Sequence, residues 1–199
     1  MYTKTKTSGL ALALVFLLSA LTIITPRTIN AADLNAETTA TVEFNAGELS
    51  LVSVATLDFG QQDISTSEET YTAKDVDSAI QVSDLRGSGE GWDLTVALSE
   101  FTHKDNDETL PGAYLTFSGT TVEDVNETNG SAPTSVSTVS LKIDSDDEQN
   151  SIFVAGDEAG MGVWELTIEP EAVELTVLPG TTYAGEYQAD LTWSLQTTP

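Results

Sequence analysis

Residues 91–99 read GWDLTVALS. Trp92, Leu94, Val96 and Leu98 alternate with Asp93, Thr95, Ala97 and Ser99, and a period of two gives one apolar and one polar face only in an extended strand. The last segment repeats the pattern: Tyr187, Ala189, Leu191, Trp193 and Leu195 share one face, and Gln188, Asp190, Thr192, Ser194 and Gln196 the other. Further short runs rich in β-branched and aromatic residues are TVEF (41–44), ELSLVSV (48–54), AIQV (79–82), AYLTFSG (113–119), VSTVSLKI (136–143), SIFVA (151–155), VWELTI (163–168) and VELTVL (173–178). Turn-forming clusters separate them: NAG at 45–47, RGSGEG at 86–91, NG at 129–130, and PG at 111–112 and 179–180. No ten-residue stretch keeps an apolar spacing of three and four. The expected fold is therefore all-β, an antiparallel β-sandwich or barrel-like sandwich.

The N-terminal region is of another kind. Lys4 and Lys6 precede an apolar run from Leu10 to Ile24, and small residues follow at Ala31 and Ala32. This is the pattern of a secretory signal peptide over residues 1–31, cleaved after Ala31, and the run is shorter than the roughly 20 residues a membrane span needs. The expected mature chain is one domain over 32–199 with no membrane span. The sequence contains no cysteine, so neither a lipid-carrying cysteine nor a disulfide is available and stability rests on packing. Three of the seven basic residues (Lys4, Lys6, Arg27) and none of the 32 acidic ones lie in that leader, which leaves a balance of −28 beyond it. Nucleic acid and anionic membrane surfaces are poor partners for such a chain, because only Lys74, Arg86, Lys104 and Lys142 oppose the repulsion.

All three tryptophans stand in one tripeptide pattern: Trp92-Asp93-Leu94, Trp164-Glu165-Leu166 and Trp193-Ser194-Leu195. Together with ATVEFNAGELSLVSVATLDFG (40–60), VSDLRGSGEGWDLTV (82–96), GMGVWEL (160–166) and YQADLTWSLQTTP (187–199), they make the chain resemble the WxL domain family of Gram-positive cell-surface proteins. The resemblance implies non-covalent attachment to peptidoglycan, an extracellular location at the cell wall, and a companion surface protein that recognises the domain. It places the family motifs at Trp92 and Leu94 and at Trp193 and Leu195, and gives Trp164 no role. The chain departs from the family at Leu85, where a polar residue is usual between Asp84 and Arg86, so that side chain supplies no hydrogen bond.

Two readings of the motif tryptophans follow from the residues. The phase of both strands puts each Trp with the apolar set, hence toward a core. Alternatively, the two motifs lie side by side and offer partly exposed indoles in a groove, where indole faces suit the apolar C–H faces of sugars. Asp84 and Arg86, two apart on one strand face, are placed to bridge; exposed, such a pair contributes under about 1 kcal/mol. The glycines at 87, 89 and 91 lead into a strand, without the Lys and Ser/Thr of a phosphate loop, and read as a flexible turn.

Other motifs fall short of a site. LPGTT at 178–182 has Thr182 in place of the glycine of a sorting signal and no apolar stretch after it, so covalent wall attachment is not expected. Asp144, Asp146, Glu148 and Asn150 alternate as in a calcium loop, yet Gln149 and Ala155 stand where its glycine and closing glutamate belong. No metal or cofactor is expected. A hydrolase triad would rest on His103, the only histidine, in an acidic loop with no serine elbow nearby, so no catalytic residue is assigned. The rivals to a wall-binding protein are a wall-glycan hydrolase, whose paired carboxylates a sequence cannot place, and a self-assembling surface subunit.

Overall fold

The computed structural model describes residues 37–142, 150–180 and 182–198. The leader and most of the calcium-loop-like stretch lie outside them. Three four-stranded antiparallel sheets hold most of the chain from Phe44 onward. In the first, β1 (Leu49–Ser53), β5 (Ile80–Asp84), β13 (Gly162–Ile168) and β9 (Thr120–Asp124) are neighbours in that order. The second runs β10 (Thr134–Ser135), β12 (Asn150–Ala155), β6 (Trp92–Leu98), β16 (Leu191–Thr197). The third runs β11 (Thr138–Lys142), β8 (Tyr114–Ser118), β14 (Val173–Val177), β3 (Glu69–Thr72). Two short pairs complete the set, β2 (Leu57–Asp58) with β4 (Asp75–Val76) and β7 (Thr102–His103) with β15 (Tyr187–Gln188). A single 3-10 turn, Pro170–Ala172, is the one helical element named among the described residues. The all-β, sandwich-like fold expected from the alternation is the fold observed.

The inward faces of all three sheets meet in one core. Trp92, Leu94 and Val96 of β6 are fully buried beside Ile80 and Val82 of β5, Leu115 and Phe117 of β8, and Ile152 and Phe153 of β12. Burying each such side chain contributes about 1.5–3 kcal/mol, so Trp92, Leu94 and Val96 fix the inward face of β6.

Three departures from the expected strands have local causes. Residues 41–44 form no strand: Val42 and Phe44 are 76% and 88% exposed, and residues 37–46 make no backbone hydrogen bond among the described residues. The terminal run, read as one strand from Tyr187, is divided, because Ser99 N–H donates to Asp190 O and Ser99 Oγ accepts from Asp190 N–H where β6 ends. Tyr187 and Gln188 pair instead with β7, although the alternation of faces continues unbroken. Strand β9, TTVED, carries one apolar residue and is held by pairing to β13, which alternation cannot reveal.

Candidate functional site

Strands β6 and β16 are antiparallel neighbours, with Leu94 opposite Leu195, Val96 opposite Trp193 and Trp92 opposite Thr197. The two motifs therefore lie abreast at their leucines and place their tryptophans at opposite ends of the pair. Four residue steps at 3.2–3.4 Å separate them, about 13 Å along the strands. The motifs are side by side; the indoles are not.

Their environments differ completely. Trp92 is 0% exposed, packs edge-on against Phe153 with ring centroids 4.9 Å apart, and donates Nε1–H to Gly160 O at 3.2 Å. Trp164, also buried, donates its Nε1–H to the next carbonyl, Met161 O, at 3.0 Å. Two indoles from different sheets thus hold successive carbonyls of the β12–β13 connection. Gly160 has φ +72°, and a Cβ there would lie 2.4 Å from Ala155 Cβ and 2.7 Å from Trp92 Nε1, so glycine is required. This gives Trp164 a structural part that its tripeptide alone could not disclose.

Trp193 is half-buried, and its indole N–H makes no hydrogen bond among the described residues. It lines an open cleft of about 1470 Å³ with Leu98, Leu191, Tyr183, Tyr187 and Ile64. Tyr183 and Ile64 are 57% and 58% exposed. The cleft is open and exceeds the roughly 300–1,000 Å³ of a pocket that encloses a small ligand. Its rim is ionic, with Lys104 Nζ donating to Glu186 Oε1.

Asp84 ends β5, and Arg86 lies just beyond it in the turn that leads to β6. Asp84 is 2% exposed and is gripped bidentately by Arg86, Nε to Oδ1 at 2.9 Å and Nη2 to Oδ2 at 2.8 Å. Arg86 N–H adds a bond to Asp84 Oδ1 at 3.1 Å. Burial pushes the Asp84 carboxyl up, but the hydrogen bonds and charge of Arg86 outweigh it and hold the group below the ordinary carboxylate range. The hydrogen bond to Asp84 raises Arg86 in turn. Nη2 also donates to Glu90 O at 2.8 Å and Gly91 O at 3.2 Å, closing the glycine-rich turn that leads into Trp92. The pair is thus no surface bridge, and the turn expected to be flexible is clamped from within. Leu85 is 58% exposed and contributes only backbone, its carbonyl accepting from Gly47 N–H at 2.8 Å.

His103 is buried. Its Nδ1 accepts from Asp105 N–H at 3.1 Å, which leaves Nε2–H to donate to Ala184 O at 3.2 Å, and its ring meets Tyr187 edge-on. Gly185, with φ +150°, would place a Cβ 1.9 Å from Nε2, so the imidazole occupies the space a side chain would need. Among the described residues no group of three or more His, Cys, Asp or Glu is arranged to hold a metal ion. Nor is any described helix long and apolar enough to cross a membrane.

The family model for the WxL domain, surface cell wall-binding, matches residues 25–199. The chain belongs to that family. It is accordingly a surface cell wall-binding protein, and the WxL domain is a binding domain rather than a catalytic one. A search of curated proteins gives no match.

Proposed function

We propose that residues 1–31 export the chain and are removed, and that residues 32–199 form one WxL domain held non-covalently on peptidoglycan outside the cell. There it serves surface display, adhesion or the assembly of surface complexes. In this reading Trp193 and Leu195 carry the contact, Trp92 and Leu94 build the sheet that presents them, and Asp84 and Arg86 hold the turn that sets β6 in place.

The observation that supports it most is the half-buried indole of Trp193 in a wide open cleft, with its N–H unbonded among the described residues. Buried tryptophans ordinarily satisfy that donor, as Trp92 and Trp164 do; an open one offers both an apolar face and a hydrogen bond to a sugar or peptide of the wall. With a balance near −28 and an anionic wall, attraction has to come from contacts shorter than the roughly 8 Å screening length.

The test is co-sedimentation of the exported protein with protein-stripped peptidoglycan, wild type against Trp193→Phe. Phenylalanine keeps most of the apolar volume and removes the donor. Capture of wild type and loss in a folded variant is the expected result. If neither sediments, the wall is reached through a companion surface protein instead. Release of sugar or muropeptide from the walls would give the domain a hydrolytic role.

A further inference from the structure

A sheet edge presents unpaired backbone N–H and C=O groups, and proteins blunt such edges with charge, proline, bulges or shortness. Five of the six edges of the three large sheets are blunted so. Strand β1 carries a register shift between Leu51 and Ser53, β9 carries Glu123 and Asp124, β3 has four residues and begins at Glu69, β11 ends in Lys142, and β10 has two residues. Strand β16 has none of these devices. It is seven residues long, reads LTWSLQT without charge or proline, and pairs with β6 in unbroken register from Leu191 to Thr197. Its apolar residues Leu191, Trp193 and Leu195 are all left half-exposed.

The same chain contains a strand-like sequence with no sheet. Residues 39–44, TATVEF, alternate Ala40, Val42 and Phe44 with Thr39, Thr41 and Glu43, yet the stretch is exposed throughout and unpaired among the described residues. With Val42 set opposite Trp193, Ala40 and Phe44 fall opposite Leu191 and Leu195, in either strand direction. The polar set then faces Thr192, Ser194 and Gln196 in the antiparallel direction, and Asp190, Thr192 and Ser194 in the parallel one. Six residues at about 3.3 Å each span about 20 Å, close to the length of β16.

We infer that residues 39–44 of one copy add as a strand to the free edge of β16 in a second copy, a head-to-tail contact that propagates where the rotation does not close. Glu43 is the only charge in the joined strands. The rest of each copy is strongly acidic, so association is weak at low salt and strengthens as salt screens the repulsion between copies. The contact itself consists of backbone hydrogen bonds and apolar pairs, so it survives near-molar salt, where the screening length falls to about 3 Å and repulsion between copies is removed.

The experiment needs no peptidoglycan, so its failure is separate from that of the wall-binding reading. The exported protein is sedimented over a dilution series at low and near-molar salt, beside Val42→Asp, a change at an exposed position that leaves the core intact. The expected result is a weight-average mass that rises about two-fold or more with salt in wild type and stays monomeric in Val42→Asp. The chain has no cysteine, so Thr41→Cys combined with Thr192→Cys or with Ser194→Cys reports the contact directly under mild oxidation. A ladder of covalent oligomers from either pair supports the inference. It is overturned by a monomer at every salt with no cross-link, by association that survives Val42→Asp, or by a disulfide confined to monomers, which would put the segment on its own chain's edge.

Discussion

Trp92 and Trp193 occupy equivalent places in two copies of one tripeptide on adjacent strands, and the molecule treats them as opposites. The first is a fully buried indole with its N–H bonded to Gly160 O. The second is half-buried beside an open cleft with its N–H free of protein partners among the described residues. Strand position accounts for the difference. Strand β6 is flanked on both sides, by β12 and β16, whereas β16 has β6 on one side only. The same Trp-x-Leu spacing thus yields a core element in the interior of a sheet and a presented one at its edge.

The contrast is open to direct test, and the largest effect belongs on the β6 side. Trp92→Ala should lower unfolding free energy in urea by about 3–5 kcal/mol, the range for deleting a buried indole. Equal losses at Trp92 and Trp193 would abolish the distinction between the two motifs. Gly160→Ala, which keeps both indoles but forces a Cβ into Trp92, should be destabilising by at least about 2 kcal/mol through overpacking and the positive φ together.

Arg86→Met, which strands the buried Asp84, should cost roughly 2–4 kcal/mol; the exposed edge of the guanidinium keeps this below the range for a fully buried pair. The sign of the pH effect follows from the direction of the shift. Since the Asp84 pKa is lower folded than unfolded, its contribution is present above the unfolded value near 3.9 and disappears as pH falls through the lower folded value. Asp84→Asn should therefore flatten the acid limb of a stability-versus-pH curve, and an unchanged limb would show that the clamp does not govern it.

On the β16 side, stability and recognition should separate. Trp193→Phe should change unfolding free energy by less than about 1.5 kcal/mol while removing capture by stripped peptidoglycan. Acrylamide should quench one indole of three, and that component should vanish in the same variant. The smallest effect expected is a gain in wall retention toward about pH 4–5, where carboxylates begin to protonate and repulsion from the wall falls. Equal retention down to that range at fixed salt would remove charge from the account.

Much of this is legible in the amino-acid sequence. The faces of β6 and of the terminal segment follow from alternation, and the all-β class follows from their number and the turn residues between them. Asp84 and Arg86 could be singled out by spacing, but not their burial, because the desolvation of Asp84 depends on strands distant in sequence. Trp164 could not be understood at all from its tripeptide. Its partner is the carbonyl next to the one that Trp92 holds, and nothing in a one-dimensional period places two indoles on one loop.

The sequence by itself determined which way each side chain points, since in a strand that is a local consequence of backbone pleat and needs no knowledge of neighbours. Only the tertiary structure decided how deep each one lies, because depth is set by how many strands flank it and what packs above. For this chain that distinction separates Trp92 in the core from Trp193 at the cleft, although the two are written with the same motif.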